Sequence, residues 1–408
     1  MILMNFQPEI GVWCEDPDSL EKMKKNFFGE ERDDTGKAGV HSGSGKWVLD
    51  PEEALYIITF QNGVITNAHT QEKMGFNQLA SFYIKEDPRL IIKYNTYRDW
   101  RDRGLILKRT DKVDKNGNKA GGHKKYPTKK LQIDELKTKL YWYKDSLFSI
   151  LEDDEIGKQL FEKYWIGQLG VYKQQRGNLS RLEFMETVFL VKHFGVEAID
   201  ANTGKKISAE EILKQVIKER EYTKQLYDIY EDWRLQGYVV KTGFKFGSHF
   251  RIYFPGASPV KEDKWIHSKH VLHVFPKEQK MLISEWARAV RVAHSVKKTF
   301  LLGIPELTKE DYIDYPAAFI AYKRKREGSN WVRETPEDKP RYLMAAVSED
   351  EHIGGIELAS LLEKAKKLGL ELILSISDRE TAITYYVLKR VVLPGSQYEY
   401  YEIEWEKP

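Results

Sequence analysis

The sequence predicts an α+β protein in which small helix-rich N-domains and mixed-sheet strand–helix–strand C-domains each occur twice. Two internal repeats of different content carry that expectation. Residues 96–108, TYRDWRDRGLILK, align without a gap on residues 229–241, IYEDWRLQGYVVK; Tyr97/Tyr230, Asp99/Asp232, Trp100/Trp233, Arg101/Arg234, Gly104/Gly237 and Lys108/Lys241 are identical. The same spacing sets EALYII (53–58) on ETVFLV (186–191). A second repeat relates 270–304 to 342–376, with VLHVFP facing LMAAVS, EWARAVRVAHSV facing ELASLLEKAKKL and LLGI facing ILSI. Apolar positions in it coincide at helical spacing through the middle and alternate in the flanking strands. The expected order is therefore an N-domain copy (1–108), a basic linker (109–130), a second N-domain (131–240), a C-domain (241–325) and a degenerate C-domain (326–408).

Local signals place the elements. Asp50-Pro51-Glu52-Glu53 offers an N-cap, a proline at the first helical position and early acids, so a helix should run to about Phe60. Ser208 followed by Glu210 and Glu211 opens another, toward Arg220. Ser284-Glu285 starts the helix before Lys298, and Gly369 stops its counterpart at the position of Lys297. VVKTGFKFGSHFRIYF and HVLHVFP read as strands, with Gly243 and Gly247 at bends. The stretches 109–130 and roughly 325–340 read as linkers.

Bulk composition narrows the function classes. A chain of 408 residues is long for one core, and its 41% hydrophobic content suffices for several. The net charge is only +3, so affinity for a polyanion must come from local clusters. One cysteine, Cys14, leaves no intrachain disulfide and no multi-cysteine metal site. The start MILMNFQPEI lacks a basic segment followed by an apolar core, and no run of 18 apolar residues occurs, so a cytoplasmic chain with no membrane partner is expected.

The segment 237–304 concentrates the chemistry. Tyr253, His267 and Lys298 fall at the ends of its elements, amid Arg251, Lys264, Lys269, Arg288, Arg291 and Lys297. A phenol, an imidazole and an ammonium among cations suit metal-free cleavage of an RNA phosphodiester. Ordinary roles are open to each: packing for the tyrosine, solvation for the histidine, helix-dipole complementation for the lysine. The second repeat weighs on this choice. It has Lys339 where His267 stands, Leu370 for Lys298 and Glu363 for Arg291. It keeps the apolar frame and drops the polar groups. A rival constellation, Asp263 with Glu278 and Lys280, has the D…ExK spacing of metal-dependent nucleases, although a turn at Pro276-Lys277-Glu278 explains it more simply.

GYVVKTGFKFGSHFRIY, HSKHVLHVFP and RAVRVAHSVKK together resemble the catalytic unit of the archaeal tRNA-splicing endonucleases. The resemblance is strongest over 230–304 and extends, more weakly, through both repeats. It implies a tRNA-intron endonuclease fold and a triad of Tyr253 as general base, His267 as general acid and Lys298 as charge stabiliser. It implies precursor tRNA as partner, cut at bulge–helix–bulge junctions to a 2′,3′-cyclic phosphate and a 5′-hydroxyl, with no cofactor. Arg291 matches an arginine that sandwiches a bulge base; Arg324 or Lys323 is the candidate for a second. The domain order resembles the family's three-unit form, for which a homodimer rebuilds a four-unit assembly. In that assembly Asp378 and Glu380 correspond to an acidic loop at the dimer interface. Two departures are Lys297, where an arginine is usual, and a longer loop between Tyr253 and His267. The 108–130 stretch carries nine Lys/Arg, Lys124 and Lys125 among them, against two Asp. It reads either as a phosphate handle or as a solvated linker.

Overall fold

A computed structural model describes residues 1–32, 46–110, 124–132, 134–171, 174–260 and 267–408. The expected caps form. Helix Pro51–Phe60 has Asp50 at its N-cap in a capping box with Glu53, and helix Ala209–Glu219 has Ser208 in one with Glu211. Helices Ile283–Ser295 and Gly355–Lys367 occupy equivalent places in the second repeat.

One eleven-stranded mixed sheet organises the chain, and its strands are numbered here in chain order: β1 (Leu107–Arg109), β2 (Lys124–Lys125), β3 (Val239–Thr242), β4 (Phe250–Tyr253), β5 (His270–Val274), β6 (Thr299–Ile304), β7 (Phe319–Ala321), β8 (Tyr342–Ser348), β9 (Glu371–Ser377), β10 (Ile383–Val392) and β11 (Glu399–Glu406). Spatial order is β3-β4-β5-β6-β11-β10-β9-β8-β7-β1, with β2 beside β10. The order is a palindrome of types. β3, β4, β5 and β6 are matched by β1, β7, β8 and β9, and the antiparallel pair β11/β10 joins the halves at the centre. Strand β6 pairs with β11, from the far C-terminus, as β9 pairs with β10. Each half thus takes its last strand from the C-terminal hairpin, an exchange that local patterning could not reveal.

The first repeat explains how the other layer docks. Trp100 and Trp233 are fully buried, and each belongs to a core joining a helical unit to one half of the sheet. Asp99 accepts a hydrogen bond from Tyr385 on β10 at 2.8 Å, and Asp232 one from Tyr400 on β11 at 2.6 Å. Lys108 Nζ lies 3.2 Å from Glu53 and Lys241 Nζ lies 2.7 Å from Glu186. In both copies the ammonium also donates to a glycine carbonyl, Gly29 or Gly167, whose amide donates to the same glutamate. Those glycines have φ of +67° and +81°, a region a side chain would strain. The first helical unit therefore serves the β1/β7–β10 half and the second serves β3–β6/β11.

The two linkers differ from expectation. Residues 111–123 lie outside the described set, but 124–131 form a strap held to the core: Tyr126 N donates to Val392 O and Leu131 N to Leu235 O. Tyr126 is buried against Trp233 and His270. The stretch 325–340 contains most of a two-stranded antiparallel hairpin, Arg324–Glu327 with Asn330–Arg333.

Breaking a buried pair from one side strands the other charge, a loss of roughly 3–5 kcal/mol. Lys241→Met and Lys108→Met should each destabilise the chain by that order in denaturant unfolding. A loss below about 1 kcal/mol in either would contradict the role given to these pairs.

Candidate functional site

Strand direction brings the three residues to one edge. β4 runs antiparallel to β5, and β5 parallel to β6 through the crossover helix Ile283–Ser295. The C-terminal end of β4 and the N-terminal ends of β5 and β6 therefore coincide. Tyr253 is the last residue of β4, His267 lies three residues before β5, and Lys298 immediately precedes β6. Register makes this specific, since Ile252 is opposite His270 and His270 opposite Thr299. Lys298 Nζ donates to the Ser268 carbonyl at 2.7 Å, which pins the ammonium one residue from His267.

The turn that delivers Lys298 is a Schellman closure. Lys298 N donates to Ala293 O at 3.0 Å, Lys297 N donates to His294 O at 3.0 Å, and Lys297 has φ +56°. In the other half Leu370 N, Gly369 N and Gly369 (φ +66°) do the same. The first half holds a lysine in the left-handed region where the second uses glycine. That conformation costs on the order of 1 kcal/mol.

The members differ in exposure. His267 is exposed, Lys298 half-buried, and Tyr253 buried to 1%. Tyr253 packs in a small apolar cluster with Phe161, Trp165, Leu169, Val239 and Ala257. The Trp165 ring is 4.8 Å from its own, and the Arg251 guanidinium is 5.9 Å from the phenol ring centre. Trp165 follows a π-turn, Leu160–Tyr164, and has φ +50°. This cover over the phenol has no local signature in the sequence.

Register also names the second half's counterparts. Ala321 is opposite Tyr342 as Ile252 is opposite His270, and Tyr322 N donates to Ile106 O, the counterpart of Val239 opposite Tyr253. Tyr322 therefore stands where Tyr253 does, and it too is buried. A tyrosine here serves packing in both halves. What separates the halves is His267 and Lys298 against Lys339 and Leu370.

The remaining expected residues scatter. Arg291 is exposed on helix Ile283–Ser295 and makes no ion pair among the described residues. Arg324 is not on the sheet half that holds Lys298; it opens the separate hairpin, donating to Arg103 O at 2.6 Å. Lys124 differs from the phosphate-handle expectation, because its ammonium is 2.7 Å from Glu402, a carboxylate with no exposure. Lys125 is exposed. Asp378 is engaged in its own turn, accepting from the amides of Glu380 and Ala382 at 2.9 Å, while Glu380 is exposed. Lys264 and Asp263 lie outside the described residues. Of the rival constellation, Lys280 pairs with Glu357 at 3.0 Å, and the described residues contain no cluster of three or more His, Cys, Asp or Glu suited to a metal.

One residue beside the site escaped the sequence reading. His270 stacks on Tyr126 at 5.0 Å and meets Phe254 edge-on; among the described residues neither ring nitrogen has a partner. Burial lowers it to about 3, helped by the Lys124, Lys269 and Lys298 charges. His249 and His273, facing each other at 4.3 Å, are lowered by burial to about 4 and about 3.

A histidine depressed in the folded state is protonated first in the unfolded chain. These three should contribute full stability above about pH 6.5 and lose it as pH falls toward 3–4, by at most about 1.4 kcal/mol per pH unit each. Melting temperature should drop between pH 6.5 and 5, and His270→Phe should flatten about a third of that slope. An unchanged slope in the variant would contradict the burial of a neutral imidazole.

The family model for "tRNA intron endonuclease, catalytic C-terminal domain" matches residues 223–315, which span the β3–β6 half and the helix before it. The tRNA-splicing endonuclease of Methanopyrus kandleri is 35% identical over 141 residues, covering 35% of this chain and 75% of that protein. That of Hyperthermus butylicus is 31% identical over 162 residues, covering 39% of this chain and 86% of its own. That of Methanococcoides burtonii is 32% identical over 165 residues, covering 40% of this chain and 44% of its own. With the family model falling on the half in which Tyr253, His267 and Lys298 share one edge, and relatives matched over 75% and 86% of their own length, the chain belongs to the tRNA-splicing endonuclease family.

Proposed function

We propose that the chain removes introns from precursor tRNA by metal-independent transesterification at bulge–helix–bulge junctions, leaving a 2′,3′-cyclic phosphate and a 5′-hydroxyl. The observation that carries this reading is the shared edge of β4, β5 and β6, with Lys298 held one residue from His267. His267 is the general acid; its exposed imidazole reaches a leaving 5′-oxygen on a docked RNA. Lys298 stabilises the charge of the phosphorane. Tyr253 is the base that takes the 2′-hydroxyl proton, with the Arg251 guanidinium beside its ring. Its burial under Trp165 requires that RNA docking uncover it.

Arg291 supplies a guanidinium face for a flipped bulge base, a contact worth roughly 1–3 kcal/mol. The working assembly is a homodimer in the three-unit arrangement: a helical copy, a second helical unit with the β3–β6 half, and a second sheet half that includes β7, with β11 also completing the catalytic half. The Glu380 loop of each copy enters the partner's cleft of ≈ 210 Å³ between helical and sheet units, lined by Lys129, Lys130 and Lys163. Asp378 shapes that turn from within. Lys125 remains a phosphate contact in this reading, whereas Lys124 holds Glu402. No helix of the described residues is long and apolar enough to cross a membrane.

Incubation of the chain with a bulge-containing pre-tRNA in EDTA should give cyclic-phosphate and 5′-hydroxyl ends. His267→Ala should reduce the rate by about 10²–10⁴-fold with affinity within a few-fold; full activity would remove it as the acid. Light scattering should give twice 47.8 kDa, and an active monodisperse monomer would contradict the paired assembly.

A further inference from the structure

The Arg324–Glu327/Asn330–Arg333 hairpin stands in the second half where the loop after Tyr253 stands in the first: it follows Tyr322 and precedes β8. Nothing in the catalytic proposal uses it. Its pairs are Arg324 with Arg333 and Arg326 with Trp331, so these four side chains share one face, and Lys325, Val332, Glu327 and Asn330 share the other. The two faces have opposite electrostatic character. Lys325 is neutralised by Asp338 at 2.6 Å and Glu327 at 3.1 Å. On the first face no arginine has a carboxylate within ion-pair distance among the described residues, and Trp331 is 69% exposed. The arginines are instead steered by backbone carbonyls, Arg324 by Arg103 O, Arg326 by Gly328 O and Arg333 by Gly104 O.

A second observation comes from the helix beneath. Arg101 is 9% exposed, lies over the Phe28 ring at 4.1 Å and has an Nη1 with no partner among the described residues. Arg333's own partial burial and, after it, the Arg101 charge lower the pKa of Arg333. Like charges crowded without a counter-ion fit a site whose anion comes from outside the chain.

We propose that this hairpin is a second RNA-gripping element, on the half that lacks the catalytic groups. Arg324 and Arg333 bind phosphates of an unpaired strand, and a base stacks on Trp331 with Arg326 beside it. This rests on the nuclease reading for the identity of the RNA. Stacking platforms flanked by cations are how unpaired RNA is held without sequence preference. A duplex would offer Trp331 no free base face, so the occupant is an unpaired stretch of the precursor tRNA rather than its helices.

The test uses the full-length chain with two probes, a uridine dodecamer and a bulge-containing pre-tRNA. Trp331→Ala should weaken dodecamer binding by about 5- to 100-fold, and Trp331→Phe should restore it to within about threefold. Replacing Arg324, Arg326 and Arg333 together by Gln should cut the salt slope of dodecamer binding by about 1.4, the share of the two phosphate contacts. The cleavage rate at saturating pre-tRNA should be unchanged in all of them. In the unaltered chain, 5-iodouridine placed through the dodecamer should crosslink to Trp331, a readout independent of any variant's folding. The proposal is overturned by unchanged affinity and slope, by crosslinks confined to other residues, or by variants that alter molecular mass and leave RNA affinity intact; the last would make the face a protein interface. An unaltered chain that binds and crosslinks but does not cut would refute the nuclease reading and leave this one standing. Cleavage with unaffected binding in the variants would do the reverse.

Discussion

The parallel pairing of β5 with β6, closed by the helix Ile283–Ser295, is the constraint on which the candidate site depends. A parallel pair needs a crossover, and the crossover returns the chain to the edge where β5 began. Lys298 therefore arrives beside the 267–269 segment by topology, and the Ser268 carbonyl fixes where its ammonium stays. Antiparallel β4 brings Tyr253 to the same edge from the other direction. Three chemically different groups thereby come to one edge.

The chain is built as two near-copies that have diverged in chemistry while keeping their joints. Lys108–Glu53 and Lys241–Glu186, each with its glycine, are the same polar knot at the same place in each half. Such knots are expensive to bury and hard to replace one side at a time, which favours their retention in both copies. At the site edge the copies part: one has His267, Lys297 and Lys298, the other Lys339, Gly369 and Leu370. The half without His267 and Lys298 has the relaxed glycine turn, and the half that carries them holds a lysine in the strained one.

Much of this was legible in the letters because it is local. Capping residues marked helices at Asp50 and Ser208, alternation marked β4 and β5, and the loss of polar residues between repeats pointed to the candidate site. Non-local pairing was not legible. Nothing in the apolar pattern of 399–406 says that it completes the half containing β6, since a strand buried on both faces can pair with any open edge. The hairpin at 324–333 looked like a linker because its turn, Gly328-Ser329, interrupts a charged stretch with no buried face. Tyr126 was hidden in a basic segment whose polarity disguised one core-forming ring. The cover of Trp165 over Tyr253 depends on a left-handed residue after a π-turn, which composition does not announce.

In the proposed mechanism the neighbouring 2′-oxygen, activated at this edge, attacks the phosphodiester. This is tested most directly with a pre-tRNA carrying a single 2′-deoxynucleotide on the 5′ side of each junction. The account expects that RNA to bind the chain as the all-ribose RNA does and to remain uncut in EDTA. Cleavage of the deoxy junction would show that the nucleophile comes from elsewhere and would contradict the roles given to Tyr253, His267 and Lys298.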